Sequence, residues 1–175
     1  MAYYYSPYRT DYESQLDNTD CPFCAGENRE KQSIRDLAGK VVENTHYLWL
    51  VNWYPKFEGH TMIVPKRHIE SLFDETPEEV RDRHALLLRA VTAVRKLYNH
   101  EGIDIFLQTG QGSAASQKHL HWHVTPSFPT DLIRGQEKLD QFYTMDSAEE
   151  RILCYPIEIR LDREELLRAL AEVLR

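Results

Sequence analysis

His119-Leu120-His121-Trp122-His123-Val124-Thr125 alternates imidazoles with apolar side chains. In an extended strand that order sends His119, His121 and His123 to one face and Leu120, Trp122 and Val124 to the other. The apolar face can pack on a core, so the histidine face is carried by a rigid element. A lone strand histidine is ordinarily a buried side chain with a satisfied hydrogen bond, and a cluster at a chain end is ordinarily a tag. Three histidines in strict alternation, far from either terminus, fit neither description. They mark a site of chemistry and leave two options, metal ligation or nucleophilic attack.

The 175-residue chain suits one domain with a core large enough to need no disulfide staples. A net charge of −7 argues against a nucleic-acid backbone or an anionic membrane as the main partner, although Lys66, Arg67 and Lys118 offer local positive charge for phosphate. No apolar run approaches the ~18 residues of a membrane span, and no basic-then-apolar leader stands at the start, so a cytoplasmic location is expected. Three cysteines, two of them in Cys21-Pro22-Phe23-Cys24, make a poor disulfide framework there.

Residues 1–20 form a tail holding Tyr3, Tyr4, Tyr5, Tyr8 and Tyr12 without a sustained period. Tyr47 to Asn52 and Thr61 to Val64 read as strands around the turn Pro55 to Gly59, which makes a hairpin. Thr76-Pro77-Glu78-Glu79 is a capping box with proline at the first helical position, and Val80, His84, Leu87, Val91, Val94 and Tyr98 give the following helix, 78–98, an apolar stripe. Ile103 to Leu107 is a further strand, followed by a Gly/Ser/Ala-rich linker and then the histidine strand. After a polar stretch, Ile157, Ile159 and Leu161 alternate with Glu158 and Arg160, and Asp162 with Glu165 caps a terminal helix carrying Leu166, Leu167, Leu170 and Leu174. Strands joined mostly by short turns, with two helices, predict an α+β domain on an antiparallel sheet.

Cys-x-x-Cys is the spacing of a zinc knuckle and also of a thioredoxin-like redox pair. The redox pair belongs at the start of a helix after a parallel strand, whereas here a polar tail precedes it and Ala25-Gly26-Glu27-Asn28 follows. Zinc is the better reading, and a tetrahedral site then needs two more donors, for which His68 and one strand histidine are available. Cys154, inside an apolar run, reads as a small buried hydrophobe.

One further segment runs from Val51-Asn52-Trp53-Tyr54-Pro55 through Gly59-His60 and an apolar strand to Pro65-Lys66-Arg67-His68. Together with His119-x-His121-x-His123, it resembles the histidine triad superfamily of nucleotidyl hydrolases and transferases over residues 21–126, leaving 127–175 as a C-terminal extension packed on the same domain. The resemblance implies an antiparallel sheet with a long central helix and a C-terminal helix, a homodimer, and a nucleotide substrate. It implies a zinc site of Cys21, Cys24, His68 and His119, structural because four protein ligands leave no open position. His121 is then the nucleophile toward the α-phosphorus, His123 and His60 complete the catalytic cluster, and Ser116 supplies a hydroxyl to the leaving phosphate. Gln108 and Gly110 open a phosphate loop, His123 orients phosphate oxygens, and Asn52 falls where the ribose hydroxyls are held.

This loop departs from the family pattern: Ser113-Ala114-Ala115-Ser116 stands where many members place Gly-Gln. The Ala-Ser-Gln before the triad, with Val-Asn-Trp-Tyr-Pro, looks like the dinucleoside-tetraphosphate phosphorylase branch, while Gln108 looks like the dinucleoside-triphosphate hydrolases. Retention of His123 favours hydrolysis. Two rival readings stand beside this one: a catalytic metal on the strand histidines, and a nucleotide-binding module without turnover.

Overall fold

The computed structural model describes residues 3–5, 21–24, 39–110, 113, 115, 117–131, 133–135, 138, 154–156 and 158–175. Its centre is a five-stranded sheet of β2 (Lys40–Glu43), β3 (Tyr47–Val51), β4 (Thr61–Pro65), β5 (Ile103–Leu107) and β6 (Trp122–Pro126) in the order β2-β3-β4-β6-β5. Every neighbouring pair is antiparallel, as expected. β2 is a strand the sequence reading left out. A separate parallel pair joins β1 (Tyr3–Tyr5) in the N-terminal tail to β7 (Cys154–Pro156), so the tail's backbone meets the C-terminal extension. The alternating residues after it were expected to be extended as a strand, but 158–160 lie outside any strand. The Cys154 side chain lies outside what is described.

Alternating side-chain direction gives the sheet two faces, and β4 and β6 are buried on both. Tyr47, Trp49, Val51, Ile63, Trp122 and Val124 form one core with helix α1 (Pro77–Tyr98) and helix α2 (Arg163–Val173). Both helices begin as their sequences predict: the side chains of Thr76 and Asp162 accept backbone N–H groups, and Glu79 and Glu165 return the reciprocal bond. The face that α1 buries is rotated from the predicted stripe. Leu86, Ala90, Ala93 and Val94 are buried, while Val80 and His84 are exposed and Leu87 and Val91 are half-buried. Small Ala90 and Ala93 let the helix axis approach the sheet, which the larger predicted residues would hold off. No helix among the described residues is long and apolar enough to cross a membrane.

The other sheet face has two covers. Phe23, inside the Cys21–Cys24 knuckle, packs on Leu50, Met62 and Val64, and Ile133 of the extension packs with Phe57 and Phe106. The turn leading to β4 is tied down by Glu58, which accepts from Tyr98 Oη at 2.6 Å and from the backbone N–H of Arg160 at 2.5 Å. Gly59 follows with φ 63°, and a Cβ there would lie 2.7 Å from Pro126 Cδ, so both its conformation and its space require glycine. Glu75, just before α1, accepts from Tyr47 Oη at 2.5 Å and Arg83 Nε at 2.8 Å, and the Arg83 guanidinium lies 4.6 Å from the Trp122 ring centre. Burial, then the Glu75 carboxylate, pushes the Tyr47 phenol well above its ordinary range, which keeps it a donor.

Candidate active site and metal centre

His123 lies on β6 opposite Met62 of β4 and Phe106 of β5, on the sheet face turned away from the helices. His60 directly precedes β4, and its ring centre is 5.0 Å from that of His123. The Lys56 backbone N–H, which can only donate, reaches His60 Nδ1 at 3.1 Å. With Nδ1 an acceptor, the proton of a neutral His60 sits on Nε2 and is donated to His123 Nδ1 at 2.8 Å. His123 in turn keeps its proton on Nε2. Asn52 is held here too, its backbone N–H donating to the His60 carbonyl at 2.9 Å and its side-chain Nδ2 lying 3.3 Å from His60 Nδ1, the acceptor of that ring.

His121 is fixed by the same logic. Its Nδ1 is 2.7 Å from the His119 carbonyl, which can only accept, so Nδ1 carries the proton and Nε2 a lone pair. Nε2 has no hydrogen-bond partner among the described residues. The side chain is buried at 4 % exposure, and burial lowers its pKa, opposed by the bond to His119. A neutral imidazole in a buried ring, with its Nε2 lone pair uncommitted among the described residues, is a competent nucleophile. Rings flank it: His123 at 4.7 Å and 80°, and Phe23 at 5.3 Å and 43°.

His119 leaves this group. The expected strand from 119 begins only at Trp122, because the Leu120 N–H goes to the Ile69 carbonyl at 2.7 Å and not to a strand neighbour. Leu120, Trp122 and Val124 still enter the core as the alternation predicts. The His119 Nε2–H donates to the Pro65 carbonyl at 2.9 Å, so its Nδ1 lone pair faces Cys21 Sγ at 3.3 Å and Cys24 Sγ at 3.2 Å. His68 Nδ1 lies 2.8 Å from Cys24 Sγ. All four donor atoms fall within 4.8 Å of one another. Tetrahedral zinc separates S and N ligands by about 3.5 Å, so the Cys2His2 set fits zinc in donor type, tautomer and spacing.

Gln108 directly follows β5, and its Nε2 is buried without a hydrogen-bond partner among the described residues. Gly110 adopts φ 81° in the same loop, and Thr109 Oγ1 donates to the Glu70 carbonyl at 3.2 Å. Ser116 lies outside the described residues. Two of the basic side chains offered for phosphate are engaged elsewhere: Lys66 Nζ donates to the Asn44 carbonyl, and Arg67 to the Glu79 carboxylate. The sequence reading missed both covers of the site. Phe23 was legible as an aromatic between two cysteines. Lys138 was not: it is buried, donating to Asp104 Oδ2 at 2.8 Å and the Pro126 carbonyl at 3.1 Å, with the Phe57 ring 5.1 Å away.

Fold and site together define an α+β protein that presents a hydrogen-bonded histidine cluster beside a Cys2His2 cluster. Residues 36–130 match the HIT domain model, and the chain belongs to the HIT domain family. It is 30% identical to a bis(5'-adenosyl)-triphosphatase of Dictyostelium discoideum over 117 residues, covering 67% of this chain and 75% of that protein. It is 29% identical to the AP-4-A phosphorylase of Mycobacterium tuberculosis over 148 residues, 78% of this chain and 76% of that one. Among solved structures, a zinc-bound histidine triad family protein from Mycobacterium smegmatis aligns with TM-score 0.56 at 26% identity, covering 77% of this chain and 82% of its own.

Proposed function

We propose that the protein is a nucleotide phosphoanhydride hydrolase, acting on dinucleoside polyphosphates or nucleoside phosphoramidates through a nucleotidyl-histidine intermediate on His121. The observation that carries this reading is the buried His121 ring, with Nδ1–H committed to the His119 carbonyl and the Nε2 lone pair left uncommitted among the described residues. Nε2 attacks the α-phosphorus, an N–P bond forms, and the bond to the leaving group breaks with its electron pair departing on that group. Water then attacks the same phosphorus, releasing a nucleoside monophosphate and restoring the imidazole. His123, protonated on Nε2 through the Lys56–His60 hydrogen bonds, donates to phosphoryl or leaving-group oxygen as charge develops. Gln108, Gly110 and Ser116 hold the phosphates, and the Asn52 amide turns from His60 to the ribose hydroxyls.

Zinc bound by Cys21, Cys24, His68 and His119 would have its four positions filled and supply a structural cross-link between the knuckle, the segment after β4 and the entry to β6. The homodimer is part of the same proposal. Support comes from Leu88 at 54% and Ile105 at 47% exposure, on the outer face of α1 and the edge strand β5.

Chromatography of products from diadenosine tri- and tetraphosphate, each with and without inorganic phosphate and beside a His121→Ala control, tests the reaction. AMP formed independently of phosphate is the expected result. The phosphorylase reading is favoured by the alignment with the AP-4-A phosphorylase, whose 148 residues reach beyond the span of the HIT domain. ADP appearing only with phosphate would establish that alternative.

A further inference from the structure

We propose that Phe23, the aromatic side chain inside the Cys21–Cys24 knuckle, is a positioning residue for the His121 imidazole. The inference rests on the reading of His121 as nucleophile. Among the described residues one hydrogen bond, Nδ1 to the His119 carbonyl, anchors that ring, and such an anchor alone leaves the broad final torsion of a histidine side chain able to swing Nε2. In-line attack on phosphorus needs Nε2 at one place and one angle. The His123 ring at 4.7 Å limits that swing by one contact, and Phe23 supplies the other. Its ring lies 5.3 Å from His121 and 5.5 Å from His119, the second contact edge-on at 70°, within the range where aromatic rings attract with preferred orientation.

Phe23 is itself well held. Only 6% exposed, it is packed on Leu50 of β3 and Met62 and Val64 of β4, and the Cys24 N–H closes a turn onto the Cys21 carbonyl at 3.1 Å. Both neighbours of the Pro22-Phe23 pair are candidate metal donors, and His119 combines two duties. Its Nδ1 faces the two sulfurs and its carbonyl anchors the nucleophile. The knuckle therefore bears on His121 twice, through the Phe23 ring and through the His119 backbone. A knuckle that only stapled the chain would have no need to place its central side chain against the ring of His121.

The test compares Phe23→Ala, Phe23→Leu and a control, Val94→Ala, which opens the helix-side core away from Phe23. Three quantities are read on the full-length chain: zinc per chain, the side-chain ¹⁵N signals of His121, and kcat and KM for diadenosine triphosphate. Phe23→Ala is expected to retain zinc, to replace the single Nδ1–H tautomer signal of His121 by exchange-broadened signals, and to lower kcat about 10- to 100-fold with KM within about threefold. Phe23→Leu recovers part of kcat, and Val94→Ala keeps both the His121 signal and kcat. An unchanged His121 signal with kcat within about twofold in Phe23→Ala would overturn the proposal, as would a loss of kcat that only tracks a loss of zinc. Because the NMR arm reads His121 without turnover, a parent protein that cleaves nothing counts against the proposed reaction and leaves the positioning role to be decided by the signal.

Discussion

His60 hands a hydrogen bond from Nε2 to His123 Nδ1 across 2.8 Å, and the direction of that bond is set by the backbone N–H of Lys56 on the far side of the ring. A main-chain amide thus decides which nitrogen of His123 carries the proton facing the site. Replacing His60 by alanine removes the donor that faces His123 Nδ1 and weakens the preference for its Nε2–H tautomer. The expected loss is about 10- to 100-fold in kcat, the scale typical of partners that orient a functional histidine. Steady-state kinetics together with the ¹⁵N tautomer pattern of His123 check it. A pattern unchanged from the parent would show that His123 is set by something other than His60.

His121→Ala takes away the proposed attacking nitrogen and no donor atom of the Cys2His2 cluster, since its contact to His119 is through the carbonyl and not the ring. Turnover should fall at least about 10³-fold while zinc content stays at the parent level. Labelled nucleotide trapped on the chain under alkaline quench, present in the parent and absent in the variant, would identify the covalent species. Appreciable residual turnover would place the nucleophile elsewhere.

What the sequence made legible was local. Both capping boxes, the 47–64 hairpin and the alternation of Leu120, Trp122 and Val124 depend on neighbours within a turn or a strand, and each is found. The start of β6 was not legible, because it is decided by where one amide goes: Leu120 N–H pairs with the Ile69 carbonyl across the fold, and this sends His119 to the cysteines. Helix α1 carries two apolar stripes, and periodicity alone cannot tell which meets the sheet when the deciding residues are the small Ala90 and Ala93. Lys138 reads as an ordinary solvated charge until Asp104 and the Pro126 carbonyl are seen to enclose it.

The Cys24 thiol lies beside both candidate histidine ligands, 2.8 Å from His68 Nδ1 and 3.2 Å from His119 Nδ1. Cys24→Ser should therefore drop zinc well below one per chain and detach the knuckle from the segment after β4 and from the entry to β6. If the site contributes at least about 2 kcal/mol, the melting temperature falls by about 4–8 °C for a chain of this size. Metal analysis and thermal unfolding of Cys21→Ser and Cys24→Ser are the check. A metal that survives both substitutions would point instead to a catalytic ion on the strand histidines.

Acid should weaken the start of α1 through Glu79. Arg67 reaches both of its carboxylate oxygens, from Nε at 2.9 Å and Nη2 at 2.8 Å, and the Thr76 N–H adds a third bond at 2.8 Å. These bonds, the Arg67 one foremost, hold the Glu79 pKa down from 4.5 to about 2, against its burial. A carboxyl whose folded pKa is depressed stabilises the fold fully above its unfolded pKa, and that contribution is lost as pH falls from about 4.5 toward 2. Glu79→Gln should destabilise the protein at pH 7 by about 1–2 kcal/mol, less than a fully buried charged bond because Arg67 is half-exposed. Denaturant unfolding across this pH window should show the difference between parent and variant shrinking toward its acid end. A difference that stays constant with pH would mean that Glu79 acts through packing and not through its charge.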